Sequence, residues 1–310
     1  MAEPTIHPRA LPDDRPVDAL HLRPGSDGTI HLDPQRAGWR HLAFETMTLA
    51  ADEAREFGDP YREVAVVIIG GGGLAVSVDG ARSELLTGRS SAFAARPTAI
   101  YVPAGQIARV VGRPSAVGGS VELAVASATG TDRDGVAQHP IVIRPEDVKV
   151  ETRGAGNATR QINHIIAPEF PADRLEVVEV LTPSGNWSSW PPHKHDTDDM
   201  PDEAVLEEVY HYRFRRPQAW AIQRVYRAGR SRDGIWEVRD GDVVIVPDGY
   251  HPFAAIHGDD AYYLNALAGD RRTMACSYDP DLDWIRATWS GMAPDPRVSF
   301  VQPATEAAAD

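Results

Sequence analysis

Short runs of aliphatic and β-branched residues, cut every few positions by glycine, proline or aspartate, recur along this chain: Val64–Ile69, Leu74–Val78, Ile141–Ile143, Leu175–Leu181 and Val243–Val246. Runs this brief suit a strand and are too short for a helix that must bury one face. With 25 prolines and 26 glycines in 310 residues, little room is left for long helices. The pattern predicts an all-β sandwich or barrel. Helix is expected only near the end, around Asp281–Ser290.

The length suits two domains of about 150 residues each. The small, polar stretch SATGTDRDGVAQHP at 127–140 reads as the break between them, and ETRGAGNATRQINH at 151–164 as a second polar connection. Residues 1–40, rich in proline and aspartate, read as an extended lead-in. An internal echo points to duplication: YVPAGQIARV in the first half and IVPDGYHPFA in the second are both strand runs ending in Pro-x-Gly. The Gly70–Gly73 run reads as a hairpin turn, since a strand-like segment follows it where a phosphate loop would open a helix.

Composition excludes several classes. The net charge of -14, with no Lys/Arg cluster, argues against nucleic acid and against anionic membranes. The single cysteine, Cys276, cannot form an internal disulfide and reads as inert packing. The first residues lack the apolar core of a signal peptide, and no apolar run approaches membrane-helix length. A cytoplasmic protein is expected, with a homo-oligomer left open.

The segment PPHKHDTDDMPDEAVLEEVYHYRF carries the chemistry. Alternate side chains of a strand share a face, so His193 and His195 are expected to be co-facial. On EEVYHYRF, Glu208, Tyr210 and Tyr212 share a face, and His211 points away. His251 follows the strand GDVVIVPDG just past its Pro-x-Gly turn. His193, His195, Glu208 and His251 are therefore the expected ligands of one divalent metal ion. Such a set suits zinc or manganese, and also iron or nickel. The acidic residues between Asp196 and Glu203 read as a solvated loop able to act as a lid. Lys194 reads as exposed.

These features resemble the two cupin motifs, with a longer gap before Glu208 and a shorter one before His251. With the strings GNWSSWPPHKHD, EEVYHYRF, QRVY, DGDVVIVPDGYHP, YYLNALAG and DPDLDW, the chain resembles the 5-deoxy-glucuronate isomerases of inositol catabolism, the IolB-type bicupins. Weaker matches in the first half (GWRHLAFE, VVIIGGGGLAVSVDG, YVPAGQ) keep the same order, and the likeness runs from about residue 20 to 290. In this family the long insertion before Glu208 is expected, while Asp248 stands where a basic residue would be. The resemblance implies a bicupin of two double-stranded β-helix barrels. The division would be 1–150, a barrel without metal ligands, and 151–310, the metal-binding barrel.

It also implies an aldose–ketose isomerase converting 5-deoxy-D-glucuronate to 5-dehydro-2-deoxy-D-gluconate. A Lewis-acidic ion suits proton transfer through a cis-enediol, with a hydride shift as the rival route. Tyr210, Tyr212 and Tyr226 are the candidate acid–base residues, against a role in core packing. Arg224 is the candidate grip for the sugar acid's carboxylate, against an exterior ion pair. Tyr263 and Asn265 are candidate pocket residues. Three other readings compete: an isomerase of the pectin-derived 5-dehydro-4-deoxy-D-glucuronate, a metal-dependent cupin dioxygenase, and a non-catalytic sugar-acid-binding cupin.

Overall fold

The run EVAVVIIG has no polar face, which demands a strand covered on both sides. The computed structural model, which describes residues 16–78, 83–131 and 133–298, supplies both covers. From the strand Arg62–Gly70, Val64, Val66 and Ile68 point into an apolar cluster with Leu74, Val76, Leu123 and Val125. Ala65, Val67 and Ile69 belong to a second cluster, with Val177, Leu181 and Leu264 of the C-terminal half. The first cluster fills a barrel; the second runs from the seam between two barrels into the other barrel's interior.

In the first barrel a six-stranded sheet runs in the order Ile141–Ile143, Ala99–Val102, Arg62–Gly70, Ser120–Thr129, Ala43–Ala50, His31–Leu32. A four-stranded sheet of Ala54–Phe57, Ala108–Pro114, Gly72–Val78 and Glu84–Arg89 closes it. The C-terminal half repeats the plan with a seven-stranded sheet: His21–Leu22, Val243–Val246, Leu206–Phe214, Ala261–Gly269, Leu175–Thr182, Arg160–Ile166, Lys149–Arg153. Its cover is Trp187–Ser188, Phe253–Ala255, Trp220–Tyr226 and Asp233–Arg239. The expected all-β bicupin is the observed fold.

The Pro-x-Gly echo marks equivalent places in this repeat. Val64 pairs with Val102 just before Pro103–Gly105, and Glu208 pairs with Val246 just before Pro247–Gly249. Gly105 and Gly249 both take positive φ, 78° and 84°, a conformation that disfavours residues with a Cβ. The same register puts Val64 and Ile107 in the first barrel where the second has Glu208 and His251.

Three local expectations are corrected, and the helix expected around Asp281–Ser290 is present at Ile285–Thr288. The polar stretch 151–164 is not a loop: it contains parts of the strands Lys149–Arg153 and Arg160–Ile166. The polar residues of the second strand are buried because they serve the barrel interior and the seam, where Asn163 donates to Glu179 at 2.7 Å. The Gly70–Gly73 run is not a hairpin. It turns a corner from the six-stranded sheet to the four-stranded one, and a Cβ on Gly71 would collide with the Ser120 carbonyl. The lead-in is not merely extended: His21–Leu22 joins the sheet of the second barrel, and Asp33 caps a short helix, Pro34–Ala37. Residues 1–15 of that lead-in lie outside the described residues. Helix near the C-terminus is limited to Ile285–Thr288 and a 3-10 turn, Pro296–Val298.

Reciprocal carboxylates lock the barrels together. Glu63, on the first barrel, accepts the backbone N–H groups of Asp173, Arg174 and Leu175 at 2.6–2.7 Å, together with the Tyr101 hydroxyl. Glu207, on the second, accepts those of Arg40, His41 and Leu42 at 2.6–3.0 Å. Between them Arg89 and Glu179 form a fully buried bidentate pair at 2.8 and 3.1 Å. Glu63→Ala would strand three backbone donors in the seam, each worth roughly 1–3 kcal/mol when left buried and unpaired. A drop in stability of at least about 3 kcal/mol is expected, read as a lower urea midpoint.

Candidate metal centre

The centre is built on the strand Leu206–Phe214, whose alternation sends Glu208, Tyr210 and Tyr212 inward. Its other face meets the first barrel. There Glu207 forms its clamp, and His211 is buried against Phe44 with ring centroids 5.8 Å apart. Burial holds the His211 imidazole down at about 3. Glu208 Oε2 lies 2.9 Å from His195 Nε2 and 3.3 Å from His251 Nε2. One donor atom from each of His195, Glu208 and His251 lies within 4.8 Å of the others, and all three residues are buried. His193 is not within that group. Its ring sits 4.6 Å from that of His251 and 6.3 Å from that of His195, on the wall of the same cavity.

Hydrogen bonding fixes how the imidazoles present themselves. His195 Nδ1 lies 3.0 Å from the Leu206 carbonyl, and His251 Nδ1 lies 3.0 Å from the Gly249 carbonyl. A carbonyl only accepts, so both Nδ1 atoms carry the hydrogen and both Nε2 atoms of the neutral rings offer lone pairs. Those lone pairs face a carboxylate. The His251 Nε2 atom is buried with no hydrogen-bond partner. Imidazole lone pairs gathered round a carboxylate call for a cation among them, whether a proton shared by His195 and Glu208 or a metal ion, and with the His251 Nε2 atom left over the donor set fits a divalent metal. Burial and the neighbouring His195 lower His251 to about 4, keeping it neutral and ready to ligate. Burial, reinforced by His251 and His195, takes His193 well below its usual value. Burial opposes protonation of His195 too, but the Glu208 carboxylate outweighs it and raises that group.

The loop carrying His251 is itself pinned. Gly249 has no room for a side chain beside the Tyr226 carbonyl. Its amide donates to Asp196 at 2.8 Å. Gln223 donates to the carbonyls of His251 and Pro252 at 3.0 and 3.2 Å and accepts the Tyr212 hydroxyl at 2.9 Å. The acidic run is partly structural: Glu203 is buried, accepts the amides of Asp196 and Thr197, and binds Lys194 at 2.7 Å. Lys194 is therefore a tether, not a free surface charge. Asp248, the departure from the family pattern, pairs with Arg227 at 2.7 Å.

Of the remaining expected site residues, Tyr210, Tyr263 and Asn265 line the cavity. The Tyr210 hydroxyl shares a 2.8 Å hydrogen bond with Ser189, and Tyr263 donates to Ser188 at 3.0 Å. Tyr212 and Tyr226 do not line it. Tyr212 lies deeper, bonded to Gln223, and Tyr226 donates to Asp279 at 2.5 Å outside the barrel. Arg224 does not line it either. On the strand Trp220–Tyr226 the inward face is Ala221, Gln223 and Val225. Arg224 therefore points out, forks onto Asp233 at 2.6 and 2.8 Å and covers the Tyr226 ring. The alternation was legible in the sequence but its phase was not. Cys276 lines the cavity instead of packing in a core. Arg153, Arg160 and Glu176 went unremarked because their segments lacked strand-like patterning or lay far from the histidines. A wider cleft between Leu86, Arg96 and Arg144 brings together no comparable donor set among the described residues.

A buried donor cluster at the mouth of the second of two jelly-roll barrels defines a bicupin with a candidate metal centre. A family model described as the KduI/IolB family matches residues 19–285, and the chain belongs to that family. It is 39% identical over 265 residues to a 5-deoxy-glucuronate isomerase of Geobacillus kaustophilus, covering 84% of this chain and 92% of that protein. A protein of the same name from Geobacillus thermodenitrificans is 38% identical, with 84% and 93% covered. The crystal structure of an IolB-like protein from Salmonella typhimurium superposes with a TM-score of 0.80 at 36% identity, over 86% of this chain and 99% of that one. Oxalate decarboxylase from Lactobacillus farciminis shares the fold at 14% identity and a TM-score of 0.57, over 84% and 85% of the two chains. The chain is thus an isomerase. No helix among the described residues is long and apolar enough to cross a membrane.

Glu176 gives a test of the interior that does not depend on turnover. It is fully buried and neither oxygen has a well-formed hydrogen bond. Burial pushes its carboxyl up to about 7, against the pull of Arg272 and His195. Below about pH 4.5 it is protonated folded or unfolded and adds no pH-dependent cost. From there to about pH 7 the folded state loses ground, by about 3 kcal/mol for a shift of this size. Glu176→Leu should therefore gain stability relative to wild type by about 3 kcal/mol between pH 4.5 and pH 8. Paired urea melts of the chelator-treated proteins at the two pH values check this.

Proposed function

We propose that this protein is a metal-dependent aldose–ketose isomerase that converts 5-deoxy-D-glucuronate to 5-dehydro-2-deoxy-D-gluconate in inositol catabolism. The observation that carries the reading is the convergence of His195, Glu208 and His251 on one buried point beside a cavity, in a chain whose relatives bear that enzyme's name. These three residues would hold the ion, with His193 as the fourth ligand after a small movement of its ring. Zinc or manganese suits three imidazoles and one carboxylate. When bound, such an ion supplies Lewis acidity toward adjacent oxygens of a sugar.

The chain's own residues do the rest. Gln223 and Asp196 hold the His251 turn so that the ring cannot swing away. Tyr210 is the acid–base residue of this reading. Burial and the nearby Glu208 raise its phenol well above the ordinary value, so it is protonated and acts as a donor to a substrate oxygen. Ser189, hydrogen-bonded to that hydroxyl, orients it and offers a path for its proton. Tyr263 and Asn265 position the sugar from the adjoining strand. The first barrel, with Val64 and Ile107 at the equivalent places, acts as scaffold.

The deciding experiment is metal analysis of the purified protein followed by NMR of an incubation with 5-deoxy-D-glucuronate. One bound divalent ion per chain and formation of the 2-ketose are expected. Absence of turnover by metal-loaded protein overturns the reading. His195→Ala, Glu208→Ala and His251→Ala should each abolish tight metal binding and activity together. Gln223→Leu leaves the donors in place but frees the turn, and should weaken metal affinity by roughly 10- to 100-fold. Competition with a chelator measures it.

A further inference from the structure

Arg160 is buried, 5% exposed, on the inward face of the strand Arg160–Ile166, and it lines the same cavity as His193, Glu208 and Tyr210. One nitrogen, Nη1, is held by the carbonyls of Ala158 and Trp190, each at 3.2 Å. That anchorage fixes the guanidinium plane. The Nε–Nη2 edge takes no partner among the described residues, and no carboxylate pairs with this side chain there. Other arginines of the molecule use that edge on an acid. Arg224 does so on Asp233, Arg227 on Asp248, and the cavity's second arginine, Arg153, on Glu151 at 2.8 and 2.9 Å.

A guanidinium cannot escape the cost of burial by losing its proton, so an open fork in a cavity is a standing demand for an anion. Its planar edge matches a carboxylate in a two-point contact. We propose that Arg160 binds the carboxylate of the sugar acid and so selects uronates over neutral sugars, taking the role that sequence reasoning gave to Arg224. This inference rests on the isomerase reading for the identity of the sugar but not for the existence of the anion site. Arg160 binds the end of the substrate remote from the reacting carbons. Its contribution is therefore equal in ground and transition states and appears in KM.

The test uses Arg160→Lys and Arg160→Gln in the full-length, metal-loaded protein, with Arg224→Lys as control. Turnover of 5-deoxy-D-glucuronate is followed, and D-glucuronate, its methyl ester and D-glucose are titrated calorimetrically. Both Arg160 variants should raise KM about 10- to 100-fold, as for loss of charge-assisted hydrogen bonds, with kcat changed little and metal content unchanged. They should weaken D-glucuronate binding but not that of the ester or of glucose. Arg224→Lys should match wild type. Equal weakening of glucuronate and glucose would assign Arg160 a purely structural role and overturn the proposal, as would unchanged glucuronate binding. If neither variant folds, the wild-type protein decides, because equal affinity for glucuronate and its methyl ester also overturns it. Absence of turnover by wild type defeats the isomerase reading alone, since the calorimetric arms still judge Arg160.

Discussion

Everything in this molecule hangs on the burial of two large sheets against each other. A back-to-back pair of barrels must hide both faces of its central strands, and polar backbone at the strand entrances must still find partners. Glu63 and Glu207 answer that need in the same way. Each sits second in its strand and reaches across the seam to three consecutive amides of the other half. The arrangement is reciprocal, as in a two-fold dimer, although both halves belong to one chain. With Arg89 and Glu179 sealed between them, the seam fixes the strand Leu206–Phe214 from behind. The inward residues of that strand can then form a site without having to support the fold.

The division of labour between the barrels follows from side chains at matched positions. The first barrel has Val64 and Ile107 where the second has Glu208 and His251. Its interior is closed by Leu, Val, Ile and Phe. The second carries Arg160, His193, Asn265 and Glu176 on inward faces, polar groups that an apolar core would not tolerate without compensation. Of the two guanidiniums that line its cavity, Arg153 forks onto Glu151, while Arg160 is held, among the described residues, by carbonyls alone.

Much of the fold was readable in the sequence because strand length, punctuation and the Pro-x-Gly echo are local signals. Glu208 and His251 were readable for the same reason: alternation along EEVYHYRF and the turn before His251 set their directions. Strand phase failed where both faces are covered. On WAIQRVY nothing local says whether Gln223 or Arg224 points inward, because Tyr226 on the outer face is buried beneath Asp279. Arg160 was missed because its neighbours Gln161, Asn163 and His164 make the strand look like a loop. Those polar residues find partners outside their own strand, such as Glu179 on the neighbouring strand, a pairing that alternation within one strand does not reveal.

The pairing of His21–Leu22 with Val243–Val246 has a consequence for biogenesis. These residues cover what would otherwise be the open margin of the sheet that carries Glu208, and His21 Nε2 meets Asp242 at 2.8 Å across 221 positions. On a ribosome, the segment that finishes this sheet emerges first and must wait for almost the whole of its partner barrel. Until His21–Leu22 docks, the ladder of Val243–Val246 is a template for strand addition by any neighbouring chain. Contacts of such long range also slow folding, which lengthens the time for which this edge stands open.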